Sequence, residues 1–338
     1  MSTLTRRSFL AAGTGALTAS SGCIQHWPDA LPVTEAPRPI RIVDAQVQLP
    51  EAYDPAHAEQ ETPAENGDER KERNATASAE VTRVTSVSAP SVPERFLAVA
   101  TPAGVRHCVL MATSPEMENT RRLLELAKEN ACAAGVIGRL SVGDLEFRGN
   151  FDLFAENPLF CGIHMEVEDF KDLSLAKVDD LRHVARKGLT VEMRCSTETL
   201  PEVAKLAEAV PDLRLVIRHL PFDSPTNADG RRRYERALVK LATRPNVFAK
   251  LSAVVKRVPD EAQQAETYRS RLDELWNLFG DARVLFGSDW PHSEAKAPYG
   301  TIVRVMLDYL SARPPVERER FFWRNSRVVY DWKEREGG

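Results

Sequence analysis

Residues 190–219 read TVEMRCSTETLPEVAKLAEAVPDLRLVIRH, and this stretch contains one complete unit of the pattern that decides the fold. It opens on a β-branched and apolar run, Thr190–Met193, and ends on a second such run, Arg214–Ile217. Between them, the apolar residues of Leu200–Val210 recur at spacings of three and four, which is typical of a helix with one buried face. Strand, helix and strand in this order indicate parallel strands joined by a crossover helix.

The same alternation extends over most of the chain on both sides of this stretch. Eight strand-like runs occur, namely Ile40–Val47, Arg106–Met111, Ala134–Leu140, Phe160–Met165, Thr190–Met193, Arg214–Ile217, Val247–Leu251 and Arg283–Phe286. Helix-like segments lie between them, among them Asn119–Asn130, Lys177–Lys187, Leu200–Val210, Arg231–Thr243 and Thr267–Phe279. Eight such units predict an α/β fold of the (β/α)8 TIM-barrel type over residues 40–332. The alternative is an open doubly wound sheet, but no glycine-rich nucleotide-binding loop follows the first strand.

The first 39 residues read as an export segment and a linker. Arg6 and Arg7 precede a short apolar stretch, which resembles a twin-arginine signal over residues 1–23, although an ordinary basic N-terminus is the alternative. We therefore expect a protein exported to the periplasm or cell envelope. Cys23 ends a small-residue run that resembles a lipoprotein cleavage site, although Ser20 stands where Leu is usual. A lipid anchor at Cys23 is thus the one membrane association that we predict, and residues 24–39 form a proline-rich linker.

Residues 51–93 differ in composition from the rest of the chain. They are rich in Glu, Ala, Ser, Thr and Pro and contain few large apolar side chains. A segment of this composition buries too little apolar surface to offset the entropy lost on ordering. We predict a long disordered insertion after the first strand.

Composition and cysteine spacing exclude some classes of function. The chain has 338 residues and a formal net charge of −4 without a clustered basic face, so we expect no nucleic-acid binding. No cysteine pair has the C-x-x-C spacing of a zinc or redox motif. Export makes disulfides possible, but Cys108, Cys161 and Cys195 lie in or beside apolar runs and are predicted to be small buried hydrophobes.

Polar residues cluster where the predicted strands end, which is the edge at which TIM barrels place their catalytic groups. Strand 1 ends with Asp44, Gln46 and Gln48, which period-two alternation predicts to share one face. The later strand ends contribute His164 and Glu166, Glu192 and Arg194, His219, Lys250 and Ser252, and Asp289.

Several of these strand ends resemble motifs of the amidohydrolase-related (amidohydrolase 2) family, in its lactonase-like TIM-barrel branch. Residues 286–291, FGSDWP, resemble the strand 8 motif, and residues 246–252, NVFAKLS, resemble the strand 7 motif. Residues 211–219 and 325–330 resemble the strand 6 region and the closing helix. Residues 43–48, VDAQVQ, align with an opening Asp-x-His-x-His. The resemblance covers residues 40–332 apart from the insertion, and the strand 7 and strand 8 motifs together are fairly specific.

The resemblance implies a hydrolase that acts at the carbonyl centre of a small molecule such as a lactone or another cyclic ester. Asp289 would be the general base that activates water, with His219 as a second catalytic group. Substrate contacts would come from Arg194, Lys250, Gln46, Gln48, His164 and His292. Structural alternatives remain open: Arg194 and Lys250 could form a buried ion pair with Glu192, and the two glutamines could simply hydrogen-bond inside the barrel mouth.

The strand 1 residues depart from the family pattern in a way that concerns metal binding. Gln46 and Gln48 replace both histidines, and a neutral amide is a weak zinc donor. Arg218 stands where the family often has Asp, and His164 where Arg is common. We expect no metal cofactor and no metal ligands, with a divalent ion as the alternative. A second interpretation is a catalytically inactive barrel that serves as a binding or cell-envelope protein, and a third, a decarboxylase, would need the missing metal site.

Overall fold

The centre of the molecule is a sheet of eight parallel strands, seen in a computed structural model that describes residues 40–49, 92–170, 172–219, 227–255 and 258–335. Each strand pairs with the next one along the chain. The strands are β1 (Ile42–Gln48), β2 (Val105–Met111), β3 (Ala133–Arg139), β4 (Phe160–Met165), β5 (Thr190–Arg194), β6 (Arg214–Arg218), β7 (Val247–Leu251) and β8 (Val284–Phe286). The predicted (β/α)8 barrel is confirmed, with strand boundaries within two residues of the predicted ones.

Helices follow the strands and cover the outside of the sheet. They are α1 (Val92–Ala100), α2 (Met117–Glu129), α3 (Phe147–Ala155), α4 (Leu175–Arg186), α5 (Leu200–Ala209), α6 (Ala228–Ala242), α7 (Ala265–Phe279), α8 (Tyr299–Leu310), α9 (Pro315–Glu319) and α10 (Asn325–Tyr330), with a π-helical turn at Arg320–Arg324. Within the described ranges, every helix is too short or too polar to span a bilayer.

The start of α1 corrects one end of the predicted insertion. Val92 and Pro93 belong to this helix rather than to the insertion, because proline is readily accommodated in the first turn of a helix. The export segment 1–23, the linker 24–39 and residues 51–91 of the insertion lie outside the described residues, so these predictions stay predictions.

The barrel closes through the ends of β1 and β8. Val47 forms a parallel bridge with Trp290, and Gln48 N–H donates to Trp290 O at 2.9 Å. One step earlier, Asp289 N–H donates to Gln46 O at 3.1 Å. Closure therefore places the turn that carries Asp289 directly beside the end of β1.

Two apolar cores hold this architecture together. The larger lies between the strands and the surrounding helices. The smaller fills the inside of the barrel and includes Val109, Phe248 and Leu285, together with Tyr330 and Trp332 from the C-terminal segment. Burial of such side chains contributes about 25 cal/mol for each Å² of apolar surface removed from water.

The C-terminal segment covers the end of the barrel where the strands begin. Thr190 Oγ1 donates to Val329 O, and Arg214 Nη1 donates to the carbonyls of Val328 and Val329 at 3.1 and 3.0 Å. Thr190 and Arg214 are the first residues of their strands. The opposite end, where the strands finish, carries the polar strand-end residues.

Candidate active site

Asp44 anchors the turn after β8. Its buried carboxylate accepts hydrogen bonds from Ser288 N–H at 2.8 Å, Gln46 N–H at 3.1 Å and Tyr299 O–H at 3.0 Å. Burial raises the pKa of Asp44, and the hydrogen bonds oppose that shift. Asp44 thus fixes the backbone next to Asp289.

Asp44 and Gln46 do not share a face, contrary to the prediction from period-two alternation. Asp44 bonds to Tyr299 of α8, whereas the side chain of Gln46 reaches Lys250 inside the barrel. The register between β1 and β2 shifts between Asp44 and Val47. Such an irregularity re-aims side chains, so simple alternation fails at this point.

Gly287 allows the end of β8 to pass close to β1 and β7. A Cβ atom at this position would lie 2.6 Å from Gln46 Cβ and 3.0 Å from Lys250 Cδ. Any larger residue would push the Asp289 turn away from the barrel. The close approach of the backbone at Gly287 to Gln46 and Lys250 therefore explains the glycine of the FGSDWP motif.

Asp289, His219 and Ser252 form a contact chain across the ends of β8, β6 and β7. His219 Nε2 lies 3.4 Å from Asp289 Oδ1, and His219 Nδ1 lies 2.9 Å from Ser252 Oγ. Asp289 and His219 both have positive φ, of 68° and 48°. Non-glycine residues rarely adopt this conformation, and it is concentrated at functional sites.

Burial controls the protonation of the two titratable groups in this chain. It raises the pKa of Asp289 to about 6, and the positive charges of Arg218 and Lys296 only partly oppose the shift. It also holds the pKa of His219 well below its usual 6.5, an effect that the charges of Arg218 and Lys250 reinforce. At neutral pH Asp289 is ionised and His219 is neutral, so their contact is not an ion pair.

Ser252 selects the tautomer of His219. Its Oγ accepts from the backbone N–H of His219 at 3.2 Å, and the ionised carboxylate of Asp289, which can only accept, faces His219 Nε2, so this arrangement favours donation from Ser252 O–H to His219 Nδ1. A neutral imidazole that accepts at Nδ1 carries its proton on Nε2. The Nε2–H then points towards the carboxylate of Asp289, where a reacting molecule would bind.

Lys250 lies at the centre of the barrel in a shell of oxygen atoms. Its Nζ donates to both carboxylate oxygens of Glu192 at 2.7 Å, to Ala45 O at 2.6 Å and to Gln46 Oε1 at 2.9 Å. Tyr330 O–H also donates to Glu192, at 2.6 Å. Burial lowers the pKa of Lys250 to about 8, with the charge of Glu192 opposing the shift, so the ammonium is ionised at pH 7. The buried ion pair with Glu192 that the sequence left as an alternative is therefore present for Lys250.

Gln46 is fully buried, and only the oxygen of its side-chain amide has a hydrogen-bond partner among the described residues. Its Oε1 accepts from Lys250, whereas its Nε2 finds no hydrogen-bond partner among the described residues. Buried polar atoms are rarely left without a partner in folded proteins. This amide N–H is therefore a donor that a water molecule or a bound carbonyl group would satisfy.

A second polar cluster joins the ends of β4 and β6. His164 Nε2 donates to Ala112 O at 2.7 Å, and His164 Nδ1 accepts from Arg218 Nη2 at 3.1 Å. Burial lowers the pKa of His164, which matches this neutral state. Burial opposes the ionisation of Glu166, but the positive charges of Arg218 and Arg194 favour it, and the pKa of Glu166 is about 2. Both ring nitrogens of His164 thus form hydrogen bonds, and His164 holds the guanidinium of Arg218 in place.

The remaining predicted contact residues lie nearer the surface. The side chain of Arg194 is 59% exposed and pairs with Glu166 at 3.5 Å, so its predicted alternative pairing with Glu192 is wrong. His292 is exposed beside the Asp289 turn, and Gln48 is half-buried at the end of β1. The structure therefore brings Asp289 and His219 into contact and leaves Arg194 and His292 at the rim.

Several residues of this site have no role that the sequence alone would assign to them. Ser252 stands two residues after Lys250 at a strand end, a spacing that could have marked it. Tyr330 and Tyr299 come from helices far along the chain, and no local pattern shows that they reach Glu192 and Asp44.

Comparison with known proteins identifies the family. The Amidohydrolase family model matches residues 43–332, and the chain belongs to this family. The chain is similar to an L-fucono-1,5-lactonase from Burkholderia ambifaria, with 29% identity over 208 residues, 59% of this chain and 69% of that protein.

The fold is also similar to solved structures of an amidohydrolase from Burkholderia multivorans. One, with bound HEPES, has a TM-score of 0.69 at 17% identity and covers 87% of this chain and 100% of that chain. Another, with bound zinc, has a TM-score of 0.64 at 20% identity and covers 71% of this chain and 88% of that chain. At these identities the likeness supports the fold alone.

The residues at the end of β1 do not fit a divalent metal ion of the kind that one of these structures contains. Structural and catalytic zinc sites use imidazole, thiolate or carboxylate donors, and at least three come from the protein. Here Gln46 offers an amide oxygen that already accepts from the Lys250 ammonium. Across the described ranges, no group of three or more His, Cys, Asp or Glu residues could hold a metal ion.

This donor chemistry leads to a prediction about metal content. Protein purified without added metal is expected to contain substoichiometric zinc, and the double variant Gln46→His and Gln48→His is expected to contain more, because two imidazoles would join His219 and Asp289. Elemental analysis after dialysis against chelator-free buffer measures this, with Gln48→His alone as the matched control. Stoichiometric zinc in the unmodified protein would contradict the prediction.

Proposed function

We propose that this protein hydrolyses a small lactone or a similar cyclic ester, with Asp289 as the general base. The observation that carries the proposal is a nearly buried carboxylate whose pKa is about 6, held 3.4 Å from a neutral imidazole at the mouth of the barrel. A general base works best when its pKa lies close to the working pH.

The reaction would proceed by direct attack of water. Asp289 accepts a proton from the water while the water oxygen bonds to the ester carbonyl carbon, which yields a tetrahedral oxyanion. His219 Nε2–H is placed to donate a hydrogen bond to that oxyanion, where charge develops. The ring C–O bond then breaks, and the carboxyl of Asp289 returns its proton to the leaving alkoxide, so that the product is a hydroxy acid.

The surroundings of Asp289 suit a polar ring. The partnerless Nε2 of Gln46 is a further donor, and Arg194 and Lys296 add positive charge near the carboxylate. The relative named an L-fucono-1,5-lactonase supports a lactone as the substrate class. Residues 1–23 resemble an export signal, so we place this reaction in the periplasm or cell envelope.

A panel of lactones, with and without chelator, tests the proposal. L-fucono-1,5-lactone and simple five- and six-membered lactones would be assayed for hydroxy-acid release. We expect kcat/KM to rise with pH and to level off above an apparent pKa of about 6, because only the ionised Asp289 accepts a proton. Tight binding of a lactone without turnover would favour the inactive binding barrel instead.

Ser252→Ala is expected to lower kcat/KM about tenfold or more and to alter its pH profile. The hydroxyl of Ser252 holds the Nε2–H tautomer of His219, and its loss lets the imidazole take the other tautomer. The matched control is Ser288→Ala, which removes an equally buried hydroxyl next to Asp289 that does not bond to His219. An identical pH profile in wild type and Ser252→Ala would contradict the assigned role.

A further inference from the structure

Two free thiols, Cys108 and Cys132, lie side by side on neighbouring strands. Cys108 is in β2, Cys132 directly precedes β3, and Cys108 N–H donates to Cys132 O at 2.8 Å. Cys108 pairs with Ala133, the residue after Cys132. With about 4.8 Å between strands and about 3.3 Å per residue along a strand, the diagonal between the Cα atoms of Cys108 and Cys132 is roughly 5.8 Å, within the roughly 4.4–6.8 Å that a disulfide spans. Both residues also line the same small pocket.

The two thiols differ in their access to solvent. Both line a small apolar pocket with Phe96, Leu110 and Leu126, on the helix-covered side of the sheet. Cys132 is half-buried, whereas Cys108 is buried. A small reagent would therefore meet Cys132 first, with Cys108 directly behind it.

The charges around Cys132 favour its thiolate. Arg335 Nη1 donates to Asn130 O at 3.1 Å and to Ala133 O at 3.2 Å, which brings its guanidinium close to Cys132. The neighbouring Cys108 thiol lowers the pKa of Cys132 to about 7, with the charge of Arg335 contributing, and the pKa of Cys108 is raised. The thiolate is the nucleophile in thiol–disulfide exchange.

We propose that Cys108 and Cys132 form a redox-active dithiol that closes to an intramolecular disulfide by exchange with a small-molecule disulfide. The Cys132 thiolate attacks one sulfur of the reagent, forms a mixed disulfide and releases the first small thiolate. The Cys108 sulfur then attacks Cys132 and releases the second small thiolate, which takes the Cys108 proton. Two protein thiols are oxidised and one small disulfide is reduced to two thiols, so the electrons balance.

The other buried cysteines lack these features. Burial raises the pKa of Cys161 and of Cys195 to about 12, and a buried thiol of this kind is inert. Cys195 thus provides an internal control in the same chain.

Glutathione disulfide is the probe that tests the proposal. The full-length protein would carry Cys23→Ser in every sample, so that a fifth thiol does not compete for the probe. After incubation, alkylation and digestion, mass mapping is expected to find a Cys108–Cys132 crosslink that dithiothreitol reverses. The Cys195→Ala variant is expected to form the same crosslink.

Two variants separate the first attack by Cys132 from the closure of the disulfide by Cys108. In Cys108→Ser the reaction is expected to stop at a glutathione adduct on Cys132, and Cys108→Ala serves if the serine variant fails to fold. In Cys132→Ser we expect Cys108 to stay reduced. A wild-type protein that accumulates only the glutathione adduct, or one in which Cys132 stays reduced, would overturn the proposal.

Discussion

Asp289→Asn is expected to abolish most of the hydrolysis and, at the same time, to make the protein more stable at pH 7. The amide cannot accept the proton of water, and loss of a general base lowers rates by roughly 10²- to 10⁴-fold. Asparagine is among the few residues that readily adopt positive φ, so the backbone at φ 68° accepts it. The substitution thus removes the charge and leaves the turn in place.

The gain in stability follows from the direction of the pKa shift. Burial raises the pKa of Asp289 from 3.8 to about 6, so between these values the folded protein binds more protons than the unfolded chain. The free energy of unfolding therefore falls as pH rises through this window, and the whole of this loss is present above about pH 6. A shift of this size corresponds to about 3 kcal/mol, which Asp289→Asn should recover as a rise of several degrees in Tm.

Thermal unfolding of wild type and variant between pH 4 and pH 8 measures this effect. The two curves are expected to converge near pH 4 and to separate as pH rises. Asp152→Asn is the contrasting control, because hydrogen bonds from Lys187 and His183 lower the pKa of Asp152, so its replacement should not raise the Tm at pH 7. A lower Tm for Asp289→Asn at pH 7 would contradict our assignment of a strained, functional carboxylate.

Lys250→Met is expected to lower the free energy of unfolding by about 3–5 kcal/mol. It leaves the buried Glu192 carboxylate with Tyr330 O–H as a remaining donor, and a buried charge that loses its partner is costly. Replacing Lys250 and Glu192 together by Met should cost less than the sum of the two single changes, because neither charge is then left alone.

Chemical denaturation of the four proteins of this double-mutant cycle gives the coupling energy. The control is Lys205→Met, which removes the cation of an exposed pair with Glu202 in α5 and is expected to cost less than about 1 kcal/mol. If Lys250→Met were no more costly than Lys205→Met, the ion pair would not hold the centre of the barrel as described.

The architecture was predictable from the sequence because it depends on local patterns. Runs such as Val247–Leu251 and helical spacing such as that of Leu200–Val210 are set by neighbouring residues, and a barrel of parallel strands brings all strand ends to one edge. Asp289 and His219 follow β8 and β6, so their proximity followed from topology alone.

Only the tertiary structure decided which polar groups meet and in which protonation state. The register shift after Asp44 turns Gln46 inward, and Lys250 rather than Arg194 pairs with Glu192. The approach of Cys132 to Cys108 likewise has no local signature. Side-chain direction depends on the twist and irregularities of the sheet, and pKa shifts depend on burial by residues that are distant in sequence. The sequence by itself thus determined the barrel and the edge that carries the site, whereas packing between remote segments decided its chemistry.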